Sequence, residues 1–528
     1  MSPLAMLLAA SVLTLGDPDE KWWGTFVSNG WSQPYCDSEP YDLEKVNFGC
    51  ATASLLVSSE GRYVWGSRPY VLSASNGVVT LESKYEDLRV VKAGDTLKDA
   101  FLAAARLHFP SDGRMPPREF FEEPQFNSYI ETCVSGGGQA GVERYIADLD
   151  ASGFPCGVFM IDAGWEPCLG VFEFNGRFPA PKRLFGTIRE RGWKSLVWAS
   201  HFVSPDNGVF GRLRYEPHFG GLDLLCHRKA DSQPAIVRWW AGASAVFDLT
   251  NPAGYRYFAD ALTGFTRRYG IDGIKFDAGD QPIMYADGDI RFHDEGQLSV
   301  DYIEKYGRLA AENFEYNEIR SAYNCGGLPL VLRLIDKRHT WDELRKVIPE
   351  IVAAGLCGYR FAVGDMIGGG DMWSFVPGYS VDERLFVRSC QVQALMPMMQ
   401  FSLAPWRVLS AENCAICRDM AKLHVEFAPY ILELAAECAK SGEPMVRAME
   451  YAFPRQGFAR RMQQFMLGDR YLVAPVTDED DSVTVELPAG EWTDDLGVVH
   501  DGPKTIRLEN VPLSRLPRFR REGMDEGR

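Results

Sequence analysis

The fold class this sequence predicts is α/β: a (β/α)8 barrel of the TIM type, with a β-sandwich-like domain before it and a small β-sandwich after it. Three observations predict it. Between residues 127 and 402, short apolar runs alternate with helix-like segments, the texture of parallel β/α structure. Before residue 110 and after residue 470 the chain instead reads as short strands separated by Gly-containing turns. Four of the central runs end in aspartate, and a barrel of this kind gathers the C-terminal ends of its strands around one pocket.

The first domain is placed at residues 1–115. "ATASLLVSSEGRYVWGSRPYVLSASNGVVTLES" holds β-rich runs divided by Glu-Gly, Gly-Ser and Asn-Gly turns, and "FPSDGRMPPREFFEEP" closes the domain with Pro and acid. The opening "MSPLAMLLAASVLTLGDPDE" is about as apolar as a signal-peptide core, but it lacks Lys or Arg ahead of the apolar stretch. A buried first strand is an equal reading. No run approaches the roughly 20 apolar residues that span a bilayer. A soluble protein is expected, its compartment open, with cytoplasmic placed ahead of secreted or periplasmic.

The barrel is placed at residues 116–468. Its strands are expected at 127–133, 157–162, 194–200, 271–277, 318–323, 330–336, 358–365 and 397–402. Helices fit most of the gaps; in "NPAGYRYFADALTGFTRRYG", Asn251 is the expected cap and Pro252 the first helical residue. Two places strain the pattern: residues 203–247 form a long insertion before strand four, and strands five and six are joined too tightly for a helix. A doubly wound sheet fits less well, because "VSGGGQ" after strand one lacks G-x-G-x-x-G spacing. The C-terminal domain is placed at residues 469–528.

Composition narrows the function. The chain has 528 residues, 46% of them hydrophobic, and a net charge of −17, so it is folded, and a nucleic-acid partner is disfavoured. Twelve scattered cysteines form no disulfide framework, and Cys414 and Cys417 read as helix cysteines. With eight histidines and no HExxH, neither a catalytic metal nor a cofactor is expected. A metal-dependent hydrolase would need more than His201 at the strand ends.

The chemistry lies in the strand-end carboxylates Asp162, Asp277, Asp336 and Asp365. One such residue is as readily a helix cap as a functional group. Four around one pocket repel one another, an arrangement kept for chemistry or for binding polyols. Paired carboxylates without metal ligands suggest glycoside hydrolysis, one acid protonating the leaving oxygen while the other attacks or activates water. Trp165, Trp198 and Trp240, near the strand ends, suit the apolar faces of sugar rings, although each taken alone is as well explained by core packing.

At these residues the chain resembles glycoside hydrolase family 31, the retaining α-glycosidases. "GIDGIKFDAGD", "VLRLIDKRHTWDELRKVIPEIVAAGLCGYRFAVGDMIGG" and "FMLGDRYLVAPVTDEDDSVTVELPAGEWTD" occur in the family's order, and the resemblance runs from about residue 120 to 520. Lys-Phe-Asp-Ala-Gly, with Lys275 in it, is similar to the branch containing the myogenesis-regulating glycosidase, an α-galactosidase. The resemblance implies that Asp277 is the nucleophile and Asp336 the acid/base. It implies substrate-binding roles for Arg320, Asp162 and Asp365, and Lys275 joins Trp165, Trp198 and Trp240 in that set. Three departures bear on the sugar pocket: Asp280 stands where the branch usually has Glu, "MPMMQFSLAPW" replaces a usual histidine, and the N-terminal domain is short.

The expectation is therefore a retaining exo-α-glycosidase, with α-galactosides first and α-glucosides or α-xylosides as rivals. Transglycosylation differs only in the acceptor. From another class, a non-catalytic carbohydrate-binding protein on the same scaffold ranks lower because both Asp277 and Asp336 are present. The partner is an oligosaccharide or glycoside, and the oligomeric state is left open.

Overall fold

The computed structural model describes residues 11–280, 289–376 and 378–523. The first ten residues of the apolar start lie outside them. Ser11–Leu15, its continuation, is a strand paired antiparallel with Val78–Ser83. That pair continues into a four-stranded antiparallel sheet through Val71–Ser75 and Ser38–Asp42. A second such sheet contains Trp22–Phe26, Thr52–Ser58, Arg62–Trp65 and Val90–Lys92. Thr52–Ser58 is buried at every position, as expected of a strand covered on both faces.

Eight parallel strands form the barrel: β1 (Gln125–Asn127), β2 (Val158–Ile161), β3 (Lys194–Ala199), β4 (Gly273–Phe276), β5 (Tyr316–Ile319), β6 (Val331–Arg333), β7 (Ala362–Val363) and β8 (Gln400–Phe401). Their spatial order is β7-β6-β5-β4-β3-β2-β1-β8. Between the two ends, Ile367 N donates to Gln400 O at 2.7 Å, which brings β8 against the chain leaving β7. Gly273 of β4 stands opposite Tyr316 of β5; a Cβ on it would lie 1.8 Å from the Tyr316 carbonyl oxygen, so this close strand contact requires glycine.

The first strand departs from expectation. It spans Gln125–Asn127, and most of the 127–133 run is instead the helix Tyr129–Ser135. Asn127 Oδ1 accepts from Tyr129 N, and Thr132 N and Oγ1 both donate to Ser128 O, so local side-chain and backbone bonds turn the chain into a helix as soon as it leaves the barrel.

The tight join between β5 and β6 has a physical cause. No helix lies between them, and the N-terminal domain packs against this segment instead. Thr52 N donates to Ala322 O at 2.8 Å, Asn324 N returns a bond to Thr52 O at 3.1 Å, and Asn324 Oδ1 accepts from Ser54 N. The insertion before β4 holds the helix Gly208–Tyr215 and a three-stranded antiparallel sheet of Phe202–Val203, Gly242–Val246 and Ile236–Trp239. The helix Pro252–Tyr269 then leads into β4, with Asn251 accepting from Ala253 N as its cap.

After β8, the helix Ala411–Ser441 carries Cys414 and Cys417, both buried and unpaired as thiols. Beyond it, six antiparallel strands between Val446 and Arg521 form one sheet with its own apolar core around Trp492. Among the described residues no helix is long and apolar enough to cross a membrane. Nor does any group of three or more His, Cys, Asp or Glu among them have the arrangement of a metal site.

Candidate active site

Asp277 follows β4 directly, and its backbone N–H donates to Ala199 O at the end of β3. Three donors hold its carboxylate. Trp198 Nε1 reaches Oδ2 at 2.9 Å, while Arg320 Nε at 2.9 Å and Ala278 N at 2.8 Å reach Oδ1. Burial alone would raise its pKa, but the nearby charges of Arg320, Lys275 and Arg333, with the Trp198 hydrogen bond, outweigh burial. The carboxyl is held well below the usual range. Asp277 is therefore an ionised, oriented group with 12% of its side chain exposed.

The backbone behind it is also fixed. Ala278 sits at φ 64°, a left-handed conformation costly for a residue with a Cβ. Tyr306 donates its hydroxyl to Asp277 O at 2.8 Å, and His201 Nε2 lies 2.9 Å from Ala278 O. Tyr302 Oη is 2.8 Å from His201 Nδ1. Burial lowers the His201 pKa to about 4, so near neutral pH the ring carries one proton, which the Ala278 carbonyl places on Nε2, and the single Tyr302 hydroxyl proton is shared between His201 Nδ1 and Phe247 O at 2.9 Å. Gly279 follows because a Cβ there would lie 2.8 Å from Ser321 Cβ.

Asp336 lies three residues beyond β6. Its Oδ1 accepts from Arg333 Nη1 at 2.6 Å, and 39% of its side chain is exposed. Asp365, after β7, has a different setting: it is 1% exposed. It accepts from Lys337 N and Gly370 N, both at 2.5 Å, and from Arg333 Nη1 at 3.0 Å. Burial and the Asp336 charge push its pKa up to about 7, against the pull of Arg333 and Lys337. Every one of these contacts is a donor, which is the coordination of a carboxylate. Its oxygens tie together the loops that carry Lys337 and Gly370 and the side chain of Arg333.

Where β2 ends, Asp162 Oδ2 and Lys275 Nζ of β4 form a buried pair at 2.6 Å. The three tryptophans separate in role. Trp165 is fully buried, stacks on Phe265 at 4.6 Å, and spends its N–H on Trp198 O. It packs as part of the apolar core. Trp198 is nearly buried and holds Asp277. Trp240, on the insertion hairpin, is 60% exposed and lies 6.2 Å edge-on from Trp198, which puts it at the rim.

Several residues of the site carry no readable signal in the sequence. Arg333 spans Asp336, Asp365 and, at 3.4 Å, Glu318; in sequence it is one more residue of the strand expected at 330–336. Tyr129 lies beside the Asp336 and Asp162 charges, with Lys275 Nζ 6.0 Å from its ring centre. The N-terminal domain also enters the pocket wall: Gly49 O accepts from Arg320 Nη1 at 2.7 Å, and Asn47 Nδ2 donates to Gly279 O at 3.2 Å.

The Glycosyl hydrolases family 31 TIM-barrel domain matches residues 124–434, and the family's C-terminal domain matches 442–524. The myogenesis-regulating glycosidase of Mus musculus is 31% identical over 423 residues, covering 77% of this chain and 57% of that protein. The SITS-binding protein of Tetronarce californica is 28% identical over 347 residues, 63% of this chain and 49% of that one. The chain thus spans about half the length of these relatives. The Flavobacterium johnsoniae GH31 dextranase FjDex31A, solved with glucose, superposes with a TM-score of 0.83 at 19% identity, over 97% of this chain and 66% of that one. With its barrel and its C-terminal sheet both matched in order, this chain belongs to glycosyl hydrolase family 31.

Proposed function

We propose that the chain is a retaining exo-α-glycosidase in which Asp277 is the nucleophile and Asp336 the acid/base. The observation that carries this reading is the contrast between the two carboxylates. Asp277 is ionised and held by three donors, while Asp336 is the open one, able to meet a leaving oxygen. In the first step Asp277 attacks the anomeric carbon. The glycosidic C–O bond breaks as Asp336 gives its proton to the departing oxygen, leaving a glycosyl ester on Asp277. In the second step Asp336 takes a proton from water, whose oxygen attacks the anomeric carbon and frees Asp277. Each displacement inverts, so the product keeps the α configuration.

Arg320 and Trp198 orient the nucleophile and hold its charge. The buried Asp162–Lys275 pair offers an acceptor and a donor to ring hydroxyls, and Trp240 offers an apolar face at the rim. Among sugars an α-galactoside is put first, on the Asp277-Ala278-Gly279 pattern and the likeness to the myogenesis-regulating glycosidase. The test is a panel of p-nitrophenyl α-galactoside, α-glucoside and α-xyloside, with the β-galactoside as control. Cleavage of the α-galactoside alone supports the full reading. Preference for glucoside or xyloside keeps the mechanism and replaces the sugar. Binding of these glycosides without cleavage would favour a carbohydrate-binding protein.

A further inference from the structure

Exposed aromatic side chains stand near both carboxylates. Trp240 stands beside Trp198, and hence on the Asp277 side. Near Asp336, Trp373 is 68% exposed. A single surface tryptophan needs no explanation; what singles this one out is how its turn is held. Asp371 N donates to Lys337 O at 2.9 Å, Asp371 Oδ1 accepts from Trp373 N at 3.1 Å, and His339 N donates to Ser374 Oγ at 3.1 Å. The turn Met372–Phe375 is thereby laced to residues 337–339, which directly follow Asp336.

The same turn packs against the helix Tyr129–Ser135, whose Tyr129 lies beside Asp336. Its anchor is Phe375, which is buried with its ring centre 5.3 Å from that of His339. Trp373 is not needed for that anchoring, so its indole is presented to solvent from a fixed backbone. Arg338, the second residue after Asp336, has 78% of its side chain exposed and faces Asp371 at 3.9 Å.

We propose that Trp373 is the platform for the leaving group, a second sugar ring whose C–H face stacks on the indole while Arg338 donates to its hydroxyls. The inference rests on the glycosidase reading above. The departing oxygen takes its proton from Asp336, so the aglycone leaves on the Asp336 side, where Trp373 and Arg338 stand. A stacked, exposed indole also explains why a segment beside the acid/base is braced by three hydrogen bonds and yet leaves its largest apolar side chain in water.

The experiment compares two substrate types for wild type, Trp373→Ala and Trp373→Phe. One is α-galactosyl fluoride, whose leaving group is too small to reach a platform. The other is the set of 1,3-, 1,4- and 1,6-linked α-galactosyl disaccharides; the glucosyl fluoride and disaccharides are run alongside. The ratio of kcat/KM for the best disaccharide to that for the fluoride is expected to fall about tenfold in Trp373→Ala, through KM, and to recover largely in Trp373→Phe. An unchanged ratio in an active variant overturns the platform and leaves the glycosidase reading intact. A wild-type chain that cleaves neither fluoride nor disaccharide overturns both together.

Discussion

Arg320 lies between two carboxylates, its Nε donating to Asp277 Oδ1 at 2.9 Å and its Nη2 to Asp280 Oδ2 at 3.1 Å. A third bond, from Nη1 to Gly49 O, anchors it to the N-terminal domain. The arginine is thus fixed from both sides before any sugar arrives, and Asp280 supplies one of its anchors. Asp277 faces a rigid cation rather than solvent, which is the preorganisation a charged nucleophile needs.

Asp336→Ala should separate substrates by their need for a proton. For α-linked disaccharides kcat/KM is expected to fall about 10²- to 10⁴-fold. For an α-glycosyl fluoride, whose leaving group needs little protonation, the loss should be far smaller. Added azide should restore turnover and yield the α-glycosyl azide, identified by NMR.

Trp165 and Trp240 should fail in opposite ways. Trp165 is sealed against Phe265, so Trp165→Ala should destabilise the fold by roughly 3–5 kcal/mol. Trp240→Ala, at an exposed rim position, should raise KM about tenfold and leave the thermal midpoint in place. Thermal unfolding and steady-state kinetics on both variants check this pair.

Asp365→Ala tests whether that residue ties the loops together or contacts substrate. The substitution strips a buried carboxylate from Lys337 N, Gly370 N and Arg333, so a loss of roughly 3–5 kcal/mol is expected. kcat should fall because Asp336 loses its support, with little change in KM. A large rise in KM at unchanged stability would return Asp365 to the substrate contacts.

The pH dependence of stability should carry a histidine signature. Burial lowers the His201 pKa to about 4, below its unfolded value near 6.5. Between those values the unfolded chain binds the extra proton, so stability is full above about pH 6.5 and declines as pH falls towards 4. The contribution at stake is on the order of 3 kcal/mol. His201→Gln keeps an N–H for Ala278 O but removes the titration. The fall in its thermal midpoint between pH 7 and 4.5 should be shallower than in wild type, with the remainder including buried His424, also lowered to about 4.

The barrel and the carboxylates were legible because they leave local traces. A buried parallel strand is a short apolar run, and an aspartate at its end marks the pocket. The misplaced first strand shows the limit: "NSYIETC" is β-rich by composition, yet Asn127 and Ser128 start a helix. The tryptophans show a second limit, since Trp165 and Trp240 look alike in sequence and only packing separates core from rim. Arg333, Gly49 and Asn47 were invisible for a third reason. Apart from Asp336, three residues beyond Arg333, their partners lie on other strands or in another domain, up to 271 positions away for the Arg320–Gly49 contact, and no local pattern encodes such pairings.

The most direct test of the account is to trap the glycosyl-enzyme. A 5-fluoro-α-glycosyl fluoride of the preferred sugar is incubated with the chain, and the digest is mapped by mass spectrometry. The account predicts one covalent sugar, on the peptide containing Asp277, absent in Asp277→Ala. A chain that turns over substrate while the label falls on another carboxylate would contradict it.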